Sequence, residues 1–340
     1  MATPANTDAA LEEPSATVPQ KPVLPHGDMA EIVPSLPMET PSSVLQLRPF
    51  NGCWLLEQFS MIIPTIHSRF KVRPSDVILA SYPKSGTTWL KALSYATLNR
   101  ATHSPFSKEH PLRHSNPHDC VSFLDIDLIS KSDAERNAML DGFEALHSPR
   151  LLATHLPYSL LPEAMAGEVP GCRIVYICRN PKDVLVSELH FLGKLQLTEA
   201  FEEFCAGRSF CGPYWCHVLQ YWEQSSKSPD KVLFVKYEDM VHDPKSNLKK
   251  LAEFMGCAFS KEEEERGVVD AIVELCSLRQ LKNMEVNKHG YNNLTVKNEK
   301  YFRKGGIGDW RNHLTPDMAE RMDKIVEDAL QGSGFTFADN

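Results

Sequence analysis

The chain reads as an α/β protein, a parallel sheet flanked by helices, and three features of the sequence predict it. Four short β-branched and apolar runs recur along it: Val77 to Ala80, Leu151 to Thr154, Arg173 to Cys178 and Val232 to Lys236. They are nearly continuous in apolar residues rather than alternating, the pattern of strands covered on both faces. Helical segments lie between them, the order expected of a doubly wound sheet. Each run also ends in polar residues, which would then gather along one edge of the sheet, where open α/β sheets bind ligands.

The elements follow in order. Residues 1 to 48 hold 8 of the chain's 24 prolines among Ala, Ser, Thr and Glu, with no sustained period of 3.6 or 2, so they read as a disordered tail. A single folded domain is expected over residues 49 to 340. After the first strand, Thr87 to Asn99 places Trp89, Leu90, Leu93 and Ala96 on one helix face, and after the third, Pro181 to Leu192 does the same with Val184, Leu185 and Leu189. A late helix has Thr315 as its N-cap and Pro316 at its first position, followed by Met318, Met322, Ile325, Val326 and Ala329.

Composition excludes several classes of function. At 340 residues, with 42% hydrophobic and 24% charged residues, the chain is in the globular range. A formal net charge of −8 offers no broad basic face for a nucleic-acid backbone. Nine cysteines, without a C-x-x-C pair, suit neither a disulfide framework nor a zinc site and point to a reducing compartment. No run reaches the ~18 to 20 apolar residues of a membrane span, and no signal or transit peptide is recognisable. The expectation is a cytoplasmic protein, in which the sequon Asn293-Leu294-Thr295 stays unglycosylated.

The strand ends carry the chemistry. Ser81-Tyr82-Pro83-Lys84-Ser85-Gly86-Thr87-Thr88-Trp89 is a strand, a tight turn with a lysine and a glycine, then a helix. Backbone N–H groups at a helix start lack intrahelical partners and favour an anion, Gly86 permits close approach, and Lys84 adds a charge. The plain alternative is an ordinary βα turn with capping threonines. The loop lacks the G-x-x-x-x-G-K-[ST] pattern, so a nucleoside triphosphate is not its default ligand. His155 follows the second strand and is halted at its rim by Pro157, although a lone histidine is often just packing. Arg179, in Cys178-Arg179-Asn180-Pro181-Lys182-Asp183, suits a planar oxyanion or a surface ion pair. Tyr301-Phe302-Arg303-Lys304-Gly305-Gly306-Ile307-Gly308-Asp309-Trp310 combines two cations with three glycines, a loop able to fold over a phosphate or a flexible charged turn.

Taken together, Y-P-K-S-G-T-T-W, T-H-L-P, Y-I-C-R-N-P-K-D-V-x-V-S, F-V-K-Y-E-D and R-K-G-x-x-G-D-W resemble the soluble sulfotransferases, most closely their plant cytosolic branch, in order from about Pro49 to Phe335. The resemblance implies a P-loop-like sulfotransferase fold and 3′-phosphoadenosine 5′-phosphosulfate (PAPS) as co-substrate, with no metal. Lys84, Ser85, Gly86, Thr87, Thr88 and Trp89 would hold the 5′-phosphosulfate and one adenine face. Arg179, Ser187, Arg303, Lys304 and Gly305 would bind the 3′-phosphate, and Tyr237 would touch the adenine. His155 would be the base for the acceptor hydroxyl, and Lys84 would stand near the bridging oxygen. Sulfuryl transfer, like phosphoryl transfer, needs little more than an in-line nucleophile and stabilisation of the charge on the leaving oxygen. The implied acceptor is a small hydrophobic metabolite: flavonoid, steroid, jasmonate-like or desulfoglucosinolate. As a rim imidazole with an ordinary pKa, His155 would be mostly neutral near pH 7.

The sequence departs from the family pattern at two places. Leu278 stands where many members stack an aromatic ring on adenine, and Pro316 replaces the valine of the animal dimer motif within Arg311 to Glu320, so a monomer or weak homodimer is expected. A nucleotide kinase would need magnesium-binding carboxylates at a strand end, where only Glu238 and Asp239 qualify. A non-catalytic PAPS-binding protein has no need to keep both Lys84 and His155. His110, His114 and His118 are four apart, but Pro111 and Pro117 break the helix that would align them, so they read as a loop without a metal. The aromatic stretch Ser209 to Trp222 reads as core more than acceptor-pocket lining.

Overall fold

Four parallel strands form the central sheet in the order β4-β3-β5-β6: β3 Val77–Ser81, β4 Leu151–Thr154, β5 Arg173–Cys178 and β6 Val232–Lys236. The structure, a computed structural model, describes residues 46–50, 52–167, 172–193, 195–292 and 295–337. Most of the expected tail, residues 1–45, and Asn293 and Leu294 of the sequon lie outside the described residues. The strands fall where the apolar runs predicted them, β3 extending one residue further to Ser81.

Alternate strand residues face opposite ways, and both faces are covered. Ile78, Ala80, Leu152, Ile174, Tyr176 and Cys178 enter one core with the helices Phe59–Arg69, Tyr214–Lys227 and Pro316–Leu330. Val77, Leu79, Ala153, Val175, Ile177 and Val235 enter a second core with Thr87–Leu98, Pro244–Phe254 and Val268–Leu275. This two-sided burial is why the strands read as continuous apolar runs.

Local signals set the helix ends that position the site. The Thr87–Leu98 helix starts directly after Gly86, whose φ of 113° puts it in the left-handed region that favours glycine. The Pro181–Leu192 helix starts with Asn180 accepting from Lys182 N–H and Pro181 in the first turn. The late helix, Pro316–Leu330, has the Thr315 hydroxyl accepting from Met318 N–H, as predicted.

One element was not anticipated. β1 Leu47–Phe50 and β2 Cys53–Leu56 form an antiparallel hairpin that starts inside the stretch assigned to the tail. It is tied down by hydrogen bonds from Trp54 N–H to Gly212 O and from Cys211 N–H to Trp54 O, at 2.9 and 2.8 Å. Among the described residues no helix is long and apolar enough to cross a membrane.

Candidate functional site

A cavity of about 880 Å³ opens at the carboxyl ends of the strands. Every site residue singled out in the sequence lines it except Ser85: Lys84, Gly86, Thr87, Thr88 and Trp89 after β3, His155 after β4, Arg179 and Ser187 after β5, Tyr237 after β6, and the Arg303-Lys304-Gly305 turn. Leu278 is also on the wall. Ser85 lies off the wall, its side chain buried and its N–H bonded to Tyr82 O at 3.3 Å. Lys84 in the left-handed region (φ 65°) and Gly86 turn the chain so tightly that the residue between them faces inward.

Two glycines are fixed by close approach. A Cβ on Gly86 would sit 2.6 Å from the Tyr237 ring, and one on Gly305 would sit 2.6 Å from Leu278, so neither site accepts a larger residue without displacing a wall of the cavity. Trp89 and Tyr237 meet edge to face at 5.5 Å, and the Tyr237 hydroxyl donates to Gly305 O at 2.7 Å, closing the glycine turn over the cavity.

The cations differ in how they are held. Arg303 and Lys304 both pair with Asp309 at 2.6 Å. Burial alone would raise the Asp309 carboxyl, yet hydrogen bonds from Lys304, Asn312 and Arg303 hold it well below the usual carboxylate range. Asp183 accepts from Gly308 and Trp310 N–H and pins the same loop to the Pro181–Leu192 helix. Arg179 donates to Gly306 O at 2.7 Å and lies 4.6 Å from the Tyr237 ring, while its Nε–H is buried with no partner among the described residues. A buried donor left unmade is costly, and this one suits an oxyanion ligand. Lys84 has no carboxylate within ion-pair distance among the described residues. Its ammonium lies 3.6 Å over the Phe191 ring, and burial lowers its pKa to about 7 against the pull of Glu188.

His155 is a correction. It is not a rim imidazole with an ordinary pKa, since it is 9% exposed and burial lowers its pKa to about 3, with Phe123 4.8 Å away and Lys91 and Lys84 opposing its charge. Its Nδ1 lies 2.7 Å from Ser81 O; a carbonyl only accepts, so Nδ1 carries the proton and Nε2 is left as the acceptor. The backbone around it is fixed by Asp125, which accepts from His155 N–H at 2.7 Å and from the Thr154 hydroxyl at 2.8 Å. His217 reaches His155 O at 3.1 Å.

Several wall residues were missed. His118, set aside with its two neighbours, lines the cavity and contacts Thr88. The two prolines break the helix: His110 caps a short turn at Pro111–Arg113 and Asn116 caps Pro117–Cys120, and the loop folds back to the site. Glu188 is on the wall with its carboxyl raised to about 7 by burial, partly offset by Lys84. Leu56 from the hairpin, Phe123, Ile126, Phe191 and Phe210 make the side near His155 apolar. The stretch from Ser209 to Trp222 is mainly core, with Tyr214, Trp215, Val218 and Tyr221 buried and Phe210 reaching the cavity. Glu238, a possible magnesium ligand in the kinase alternative, is instead buried and accepts from Asn180 N–H at 2.8 Å, while Asp239 is exposed and off the cavity wall.

Comparison with known proteins agrees with this geometry. The sulfotransferase domain family matches residues 74–334. Cytosolic sulfotransferase 5 of Arabidopsis thaliana is 44% identical over 314 residues, covering 90% of this chain and 95% of the relative. Flavonol 4′-sulfotransferase of Flaveria chlorifolia is 42% identical, covering 90% and 96%. Among solved structures, a mouse sulfotransferase complexed with PAP superposes with a TM-score of 0.64 at 26% identity, covering 84% of this chain and 95% of that one.

Proposed function

The chain belongs to the sulfotransferase family, and from that premise we propose that it transfers the sulfuryl group of PAPS to a hydroxyl of a small hydrophobic acceptor, with His155 as general base. One observation carries the proposal: a single cavity joins unpaired or anion-ready cations to an apolar side whose polar group is a neutral imidazole with Nε2 open. The relatives' cytosolic names support a cytoplasmic setting.

PAPS supplies the activated sulfuryl group, and the mouse relative's complex with PAP, its desulfated product, supports that choice. The buried, unpartnered Nε–H of Arg179 fits such a polyanionic nucleotide. Thr88, the helix N–H groups and Lys84 would face the phosphosulfate; Arg179, Ser187, Arg303, Lys304 and Gly305 would face the 3′-phosphate, and Trp89 and Tyr237 the adenine. Lys84 places a positive charge where the leaving oxygen becomes anionic, an interaction stronger in the transition state than in the ground state. His155 takes the acceptor proton on Nε2 while Nδ1–H stays on Ser81 O, and Asp125 keeps the strand end from moving as the ring charges. Leu56, Phe123, Phe191 and Phe210 favour a flat or compact apolar acceptor such as a flavonoid or steroid.

The test is turnover of the purified chain with radiolabelled PAPS against a panel of acceptors of graded hydroxyl pKa. His155→Ala is expected to lose ~10²- to 10⁴-fold in kcat on an aliphatic alcohol and less on an acidic phenol, with nucleotide binding retained. Activity within a few-fold of wild type on the alcohol would remove His155 from the role of base, and no transfer to any hydroxyl would overturn the function.

A further inference from the structure

A buried hydrogen-bond chain runs from Lys91 through His118 to Thr88. Lys91 has no exposed surface and His118 is 7% exposed. The Lys91 ammonium lies 3.2 Å from His118 Nδ1, donates to Val121 O at 2.8 Å and sits 3.3 Å over the Phe123 ring. His118 Nε2 lies 2.9 Å from the Thr88 hydroxyl. The imidazole is clamped between Tyr301, at 4.2 Å, and Phe123, at 5.5 Å.

The donor and acceptor inventory gives this chain a direction. An ammonium has three hydrogens and no lone pair, so it donates to His118 Nδ1. Burial keeps the ring neutral, with Lys91 and Lys84 adding to that pressure, so its one proton is on Nε2. Nε2–H then donates to Thr88 Oγ1, and the hydroxyl hydrogen of Thr88 has no acceptor among the described residues. Burial lowers Lys91 to about 7 against Asp127 and Asp125, so the ammonium form prevails below neutral pH. The neighbouring Thr87 is arranged otherwise, its hydroxyl turned to Ser81 at 2.6 Å.

We propose that His118, held by Lys91 in the Nε2–H tautomer, is a positioning residue that makes Thr88 an obligate hydrogen-bond donor to the anion in the cavity. The inference rests on the reading of the cavity as a phosphosulfate site and adds to it a device: a free threonine hydroxyl must reorient to donate when the anion arrives, whereas this one, already accepting from His118, keeps its hydrogen for the anion. No step of the transfer passes through His118, and its effect reaches the anion through Thr88 alone.

Two measurements test this. In the wild-type chain at pH 6.5, ¹⁵N chemical shifts of the His118 ring should report a protonated Nε2 and an unprotonated, hydrogen-bonded Nδ1; the opposite tautomer or an imidazolium overturns the proposal without any variant. Calorimetry with adenosine 3′,5′-bisphosphate then follows the coupling. Thr88→Val should weaken binding at least about tenfold, the scale of a charge-assisted hydrogen bond. His118→Phe should cost a similar factor alone but less than about twofold in the Thr88→Val background. His118→Gln should stay within about threefold of wild type, because its amide oxygen can accept from Lys91 while its NH₂ donates to Thr88. Additive losses, or His118→Gln as damaging as His118→Phe with an unchanged melting temperature, overturn the relay. A wild-type chain that binds no bisphosphate overturns the phosphosulfate reading itself, a failure distinct from wild-type binding without coupling.

Discussion

The two ends of the same sheet treat their cations in opposite ways. At the amino ends of β3 and β4, Arg150 and Asp76 form a two-pronged ion pair at 2.8 and 2.6 Å, with both side chains at 0% exposure. Arg150 also donates to Lys71 O and Phe143 O, so this charge is spent within the protein. At the carboxyl ends, Lys84 rests on an aromatic ring with no carboxylate within ion-pair distance among the described residues, and Arg179, 3.8 Å from Asp183, keeps one buried N–H unmade. A desolvated charge with its partners complete holds structure together, while one with partners missing is ready for a ligand. The Arg303-Lys304 loop is intermediate, its cations paired with Asp309 but only partly buried.

The largest effects should separate the two ends. Removing one partner of a buried pair leaves the other charge uncompensated, so Asp76→Ala is expected to lower unfolding free energy by about 3 to 5 kcal/mol while the folded fraction keeps its kcat within about twofold. Denaturant titration and turnover of the same sample check both halves. Lys84→Ala should do the reverse, reducing kcat by ~10²- to 10³-fold with the melting temperature unchanged or raised. If Lys84→Ala unfolded the protein, or Asp76→Ala abolished activity per folded molecule, the contrast between the ends would fail.

A smaller effect sharpens the contrast through pH. Lys84, lowered to about 7, is cationic in the free protein below that pH and increasingly neutral above it. Binding a phosphate dianion favours the cation, so the bound state takes up a proton when pH exceeds about 7. Affinity for adenosine 3′,5′-bisphosphate should therefore fall above about pH 7, by up to about tenfold per unit from Lys84 alone. Glu188, raised to about 7, ionises over the same range and opposes the anion further. Calorimetry in buffers of different ionisation enthalpy should detect the uptake at pH 8, and Lys84→Met should remove most of it. A pH-independent affinity in the wild type would show that Lys84 stays charged. The smallest effect is expected at Ser85→Ala, within about twofold in kcat and affinity, since that side chain is off the cavity wall.

Legibility in the sequence tracked locality. The strand–turn–helix units were readable because Lys84, Gly86, Arg179 and Pro181 lie next to the elements they serve, and local caps such as Asn180 and Thr315 act within three residues. The hairpin was missed although Asn51-Gly52, a strong turn signal between short apolar runs, was present; the proline-rich tail before it masked the change. His118 was legible as a residue but not as a neighbour of Thr88, thirty positions earlier, because a proline-broken loop gives no direction from local pattern. Ser85 lies off the cavity wall for a related reason: motif membership names a position without saying which way the side chain points.

Sequence alone determined the parallel α/β architecture and which polar residues follow its strands, because apolar continuity and capping chemistry are local and strand ends of a parallel sheet share one edge. Only the tertiary structure decided the state of those residues. His155 is neutral through burial beside Phe123, with its free nitrogen selected by Ser81 O; Lys84 is poised near neutrality by its surroundings; and Thr88 is given a direction by Lys91 and His118. Protonation and hydrogen-bond polarity depend on desolvation and on partners brought from distant parts of the chain, and neither quantity exists until the chain has folded.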